Sequence, residues 1–222
     1  MATQYGFGKI VTSGLVLALD AADRNSYASG STVWNDVSGN GYSGSLVNGP
    51  TFSNNSIMFD GIDDYLDIPN IPLVNYTTIT IEMFVSSSFP NETMLWSAGS
   101  VFGPHWYTKS DVMGYNSLNA DVYGFSASIM RNEWKSISMT YTQNQSVSLN
   151  KVYVNGYQVA TSQQLGTTLA RSFSTGLRIC SNFQGNFYFL QASIPKIKVY
   201  NRALSAQEVL QNYNAQKSRF NL

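Results

Sequence analysis

Trp34 to Ile68, WNDVSGNGYSGSLVNGPTFSNNSIMFDGIDDYLDI, carries turn and strand signals in close alternation, the pattern of an all-β chain. Ser38-Gly39-Asn40-Gly41 and Asn48-Gly49-Pro50 gather residues that accept positive φ or preset a turn, so the backbone reverses at both places. Ile57-Met58-Phe59 is a short apolar run, and Asp60-Gly61 is a dipeptide of the kind that closes hairpins. After Asp63-Asp64, Tyr65-Leu66-Asp67-Ile68 resumes in β-forming residues. The stretch predicts turn, strand, turn, strand, the last two strands joined as a β-hairpin.

Outward from it, the same grammar continues. Upstream, Leu15 to Leu19 is an apolar run that predicts a buried strand. Residues 20–44 read as loop pinned to the core by Trp34, whose ring buries much area at small entropic cost. Downstream, Thr78 to Val85 sets Ile79, Ile81, Met83 and Val85 on one face and Thr78, Thr80, Glu82 and Phe84 on the other, a sandwich strand. Met94 to Ser97 and the run through Ile137, Met139 and Tyr141 predict further strands, and residues 99–128 predict short twisted strands with long loops. Lys151 to Val154 leads through Asn155-Gly156, a type I′ turn signal, into Tyr157. Leu177 and Ile179, Phe187 to Ile194 and Lys196 to Tyr200 close the sheet, with Pro195 marking a break. Ser205 and Glu208 form a capping box, and Leu204 and Val209 a hydrophobic staple, for one C-terminal helix.

Three stretches resemble the laminin-G-like, concanavalin-A-like jelly rolls: the tryptophan, glycine-loop and FDGxDDY unit at 34–68, Lys151 to Gly156, and Lys198 to Ser205. The resemblance covers roughly residues 14–213 and implies an all-β, antiparallel two-sheet β-sandwich with a short C-terminal helix. The expected organisation is an N-terminal arm at 1–13, the jelly roll at 14–204, and helix and tail at 205–222, with both ends tied down. Function does not follow from this fold, which hosts lectins, hydrolases, adhesion modules and particle coats.

Composition narrows the classes. Thirteen basic residues balance thirteen acidic ones, so no global field draws in nucleic acid or an anionic membrane. Charged residues make up only 12% of the chain, against about 25% in average proteins. A polar, weakly charged surface suits protein contacts or neutral sugars, and is also what a Ser- and Asn-rich β-protein has without purpose. Cys180 is alone, which excludes an intrachain disulfide. No run reaches the length of a membrane span, and residues 1–9 lack the features of a signal peptide.

Catalysis lacks its parts. The four glutamates, Glu82, Glu92, Glu133 and Glu208, have no acidic partner two or four residues away, the spacing that would bring two carboxylates to one face of a strand. Glu82 is expected at a solvated or edge position. His105 is the sole histidine, without a serine elbow or an activated thiol to serve, and reads as a loop residue packing locally. No catalytic residue, metal ligand set or cofactor is assigned. Many jelly-roll relatives hold a structural calcium near the FDGxDDY strand. Asp36, Asp60, Asp63 and Asp64 offer hard oxygens for one, or serve as turn caps. The family commonly has an acidic residue on the closing strand where this chain has Pro195-Lys196, and a lysine there would repel the ion. Trp106, Tyr107, Tyr115 and Tyr123 are the candidate sugar-stacking platforms, set against rings that merely fall in loops.

The methionine start, the aromatic glycine-rich arm and the Ser/Asn/Gly-rich body resemble structural proteins of tailed bacteriophages. That resemblance implies a non-enzymatic virion protein, a capsid decoration or a tail or fibre component made in the host cytoplasm, with other virion proteins and copies of itself as partners. The alternative is a carbohydrate-binding adhesion or receptor-binding module directed at cell-surface glycans. Neither nucleic acid nor membrane is an expected partner.

Overall fold

The computed structural model describes residues 8–99, 104–116, 122–165, 171–183 and 187–222. In the first half of the chain the strands are β1 (Leu15–Asp20), β2 (Val33–Trp34), β3 (Gly44–Val47), β4 (Thr51–Ser53), β5 (Ser56–Asp60), β6 (Tyr65–Ile68), β7 (Thr78–Ser86), β8 (Thr93–Ala98) and β9 (His105–Lys109). The second half adds β10 (Val112–Asn116), β11 (Val122–Ser126), β12 (Lys135–Thr142), β13 (Val152–Val154), β14 (Tyr157–Gln158), β15 (Ser162–Leu165), β16 (Leu177–Ile179) and β17 (Gln191–Tyr200). The single α-helix among the described residues is α1 (Ala206–Asn214).

These strands make two antiparallel sheets. The first runs β14-β13-β12-β7-β17-β5-β4, with β1 also paired to β17, and the second runs β15-β11-β10-β9-β8-β16-β6-β3-β2. Apolar residues at alternate positions close the core between them, Ile79, Ile81, Met83 and Val85 facing Trp34, Leu66, Ile68 and Trp96. The all-β sandwich with one short helix is therefore the observed architecture. Trp34 is fully buried, as its role as an anchor requires.

Two local expectations change. Asp60-Gly61 does not close a hairpin: β5 pairs with β17 and β4, while β6 pairs with β3 and β16, so the turn carries the chain from one sheet to the other. The hairpin lies one strand earlier, β4 to β5, through Asn54 and Asn55 at φ 51° and 58°. The dipeptide rule cannot tell these cases apart, because a turn fixes the reversal and not the partner. Pro195 does not break the closing strand either. β17 runs through it with a register shift against β7 between Ser193 and Lys196, and it changes its other partner from β5 to β1. A bulge of this kind tolerates proline, which has no N–H to give the ladder. Residues 187–190 precede the strand rather than belonging to it.

The outer face of the first sheet is half covered. The Ser205 hydroxyl accepts from the Glu208 N–H and the Glu208 carboxylate accepts from the Ser205 N–H, so the capping box forms as its sequence predicts. The α1 helix then packs Val209 with Leu204, Tyr200, Tyr153 and Val11. Residues 8–13 run beneath it: the Val11 N–H donates to Asn212 Oδ1 at 2.8 Å and Tyr200 Oη donates to the Val11 carbonyl at 3.1 Å. Beyond the helix, Phe220 stacks on Phe84 with ring centroids 4.2 Å apart and leans on Trp134.

Beneath α1 lies the one residue whose expected setting is most clearly reversed. Glu82 is central, not an edge or solvated residue, and is 1% exposed. It is paired with Lys198 directly across on β17 and accepts from Asn212 Nδ2 at 3.0 Å. A buried carboxylate survives only with such a partner and such donors.

Candidate functional site

Where the cover of Phe220 stops, a groove begins. Phe84 and Ser86 lie on the same face of β7, the first under the tail and the second open. Cross-strand register extends the open row: Ser86 opposite Ser193, Ser193 opposite Met58, and Met58 opposite Thr51. The next row pairs Asp60 with Gln191. Loops at 48–49, 87–88 and 132 raise the walls of this open groove, whose volume is about 620 Å³. This is within the range of small-molecule sites, about 300–1,000 Å³.

The frame is tied by its own hydrogen bonds. Ser87 Oγ donates to the Gln191 carbonyl at 2.7 Å and accepts from the Phe89 N–H, and the Asn132 N–H donates to the Ser87 carbonyl at 2.8 Å. Met58 is 40% exposed and supplies an apolar floor between hydroxyl and amide side chains. Among the described residues no lysine, arginine or histidine lines the groove.

One end is acidic. Asp60, Asp63 and Asp64 each bring a carboxylate oxygen within 4.8 Å of the others. Asp60 is held below its ordinary range, chiefly by the Ile62 N–H, against a smaller opposing effect of burial and with the Asp63 and Asp64 N–H groups assisting. Asp64 moves the other way, raised by burial and by the charges of Asp60 and Asp63, while the Asp60 N–H at 3.0 Å partly offsets both. The Asp60 and Asp64 carboxylates are at work as turn caps. Asp36 stands elsewhere and is fully engaged: Oδ1 accepts from the Ala18 and Ser38 N–H groups, and Oδ2 from Ser38 Oγ and the Tyr42 N–H.

The lysine objection to a cation also changes. Lys196 lies five residues from Gln191 along β17, about 16 Å at strand spacing, and its ammonium is 2.8 Å from Asp20. It neutralises Asp20, which Arg219 also binds, and does not act on the 60–64 turn.

The four ring candidates sit on the second sheet, in strands and not loops. Trp106 and Tyr115 are fully buried, their rings 4.8 Å apart edge to face within the core, and so cannot present a stacking surface. Tyr107 is buried on the outer face beneath Tyr188, where it hydrogen bonds Glu92, and burial first and Glu92 second push its phenol up. Tyr123 is partly buried against the core and donates to the Thr161 carbonyl at 3.2 Å. The loops expected around them include residues 100–103 and 117–121, outside the described residues. Alternation at two-residue spacing could have placed Trp106 inward, but the glycines around it masked the pattern.

His105 also lies in a strand, opening β9, buried with Nδ1 3.5 Å from the Arg171 guanidinium. Cys180 is fully buried at the end of β16, and burial raises its thiol well above the ordinary range, which keeps it unreactive. The groove residues were not legible as a motif. Asn48, Ser86, Asn132 and Gln191 come from four separate segments and meet only through sheet register.

Two antiparallel sheets packed face to face, with one short helix, define a β-sandwich jelly roll. The chain belongs to the concanavalin A-like lectin/glucanases superfamily, whose Laminin_G_3 family model matches residues 60–210. Among solved structures, a sialidase of Trypanosoma rangeli in complex with sialic acid superimposes with a TM-score of 0.65 at 19% identity, over 93% of this chain and 33% of that one. The receptor binding domain of botulinum neurotoxin mosaic serotype C/D gives 0.63 at 13%, over 93% and 52%. The binding domain of botulinum neurotoxin serotype D gives 0.64 at 13%, over 93% and 53%. The chain thus spans about a third to a half of these proteins, and at such identities the likeness is one of fold. A search of curated proteins returns no match.

Proposed function

We propose that this chain is a non-enzymatic carbohydrate-binding module, lectin-like, that recognises neutral glycans in the groove of the first sheet and serves adhesion or receptor binding. The observation that carries the reading is the chemistry of that groove: hydroxyl and amide groups around an exposed methionine, with no cation among the described residues. Neutral sugars offer donors and acceptors for such groups and an apolar ring face for the methionine. The carboxylates of Asp60 and Asp64 at one end accept hydroxyl donors and repel acidic sugars. Membership of a superfamily described by its lectins and glucanases lends support to a carbohydrate ligand.

Against turnover stand the engaged groups. Glu82 is sealed with Lys198, Asp60 and Asp64 cap a turn, and His105 and Cys180 are buried. The virion reading has low charge and docked chain segments in its support, features that a glycan-binding module shares.

The test is a panel of neutral and sialylated glycans, followed by calorimetry. Binding to neutral members that falls about tenfold or more, about 1.4 kcal/mol per tenfold, in Asn132→Ala/Gln191→Ala with unchanged melting temperature is the expected result. Preference for sialylated members, or affinity untouched by the double variant, would overturn it.

A further inference from the structure

A second cavity, of about 500 Å³, opens at the side of the sandwich. There β4 ends the first sheet and β2 ends the second, and the loop at 27–32 closes over the gap. Its floor is apolar: the half-buried Phe52 and Pro50 are open to it, and Phe52 rests on the buried Tyr27, ring centroids 5.2 Å apart, with Leu46 also buried there. Its rim is hydroxyl and amide, from Ser29, Thr32 and Asn48, and among the described residues no charged side chain lines it. The partly open Phe52 ring below and hydroxyls around offer what a pyranose requires, a face for its C–H groups and an edge for its O–H groups.

Asn48, Gly49 and Thr51 line both this crevice and the groove. At φ 69° and 111°, Asn48 and Gly49 turn the backbone sharply between the two cavities, and a Cβ on Gly49 would meet nothing within 4 Å, so the saddle joining them is open.

We propose that the crevice is a second sugar subsite continuous with the groove, so that the ligand is a neutral oligosaccharide lying across the Asn48–Thr51 saddle and not a single terminal sugar. This rests on the groove being a glycan site. Each subsite filled adds contacts, so affinity grows with chain length until both are occupied. Aromatic and hydroxyl contacts in the crevice serve neutral units, and the acidic end of the groove sets the same charge rule there.

The experiment is calorimetry with gluco-, manno-, galacto- and N-acetylglucosamine oligosaccharides from monomer to hexamer. In the series that binds, affinity is expected to rise about tenfold or more from monomer to hexamer, about 1.4 kcal/mol per tenfold. Thr32→Arg and Ser29→Arg, both at exposed rim positions, are each expected to reduce that ratio to near one, with melting temperature as the control for folding. A ratio near one in the unaltered protein, or a ratio that survives both folded variants, overturns the second subsite while leaving the groove standing. Absence of binding at every length overturns the groove reading, and this one with it.

Discussion

The Trp106 indole has Tyr115 at 4.8 Å and Phe125 at 6.0 Å and is wholly enclosed. Replacing it by alanine is expected to cost about 3–5 kcal/mol, read as a lower urea midpoint. A folded, equally stable Trp106→Ala protein would contradict its place in the core. Glu82 and Lys198 form a second residue-scale case, since neither ion has water to fall back on. Lys198→Met leaves the Glu82 charge buried and is expected to cost about 3–5 kcal/mol, and Glu82→Leu in the same chain to restore most of it. A double variant whose cost equals the sum of the Lys198→Met and Glu82→Leu costs measured singly would show that the pair is not coupled. The local sequence around Glu82 gave its face correctly and its environment wrongly. Its partner lies 116 residues away on β17 and the covering Asn212 lies 130 away, beyond the reach of periodicity.

The C-terminal helix was the most legible element, because capping is written within four residues. Glu208 accepts from the Arg202 guanidinium at 2.6 Å and from the Ser205 N–H at 2.8 Å, and these hold its carboxyl at about 2, below the ordinary 4.5. A carboxylate lowered on folding stabilises fully above its unfolded value and loses that contribution as pH falls through its folded one. The stability difference between the protein and Glu208→Gln is therefore expected to shrink from pH 4.5 towards 2. A difference constant across that interval would contradict the assignment. The 60–64 turn was legible only as a turn, since sheet partners are chosen by strands far along the chain. Its Gly61, at φ 77°, has Gln191 so close that a Cβ would fall 2.8 Å from the Gln191 nitrogen. Gly61→Ala is expected to cost about 1–3 kcal/mol in thermal unfolding. No loss would mean that the crossover is not held against β17.

At the scale of the molecule, one sheet carries both the seal and the site. The α1 helix, residues 8–13 and Phe220 cover the outer face as far as Phe84, and the groove occupies what remains. The all-β sandwich could be read from alternation and turn residues at 34–68 and 78–85, and the family from the same stretches. The groove could not, because Thr51, Met58, Ser193 and Ser86 become neighbours only when four strands are in register. Aromatic residues drew attention instead, and the fold used the largest of them as core. Amide chemical-shift mapping of the labelled protein with neutral oligosaccharides reads the groove residue by residue. Changes gathered at residues 48–51, 86–88, 132 and 191–193 are the expected result. Changes confined to the aromatic surface at Phe187 and Tyr188, or none with any glycan, would contradict it.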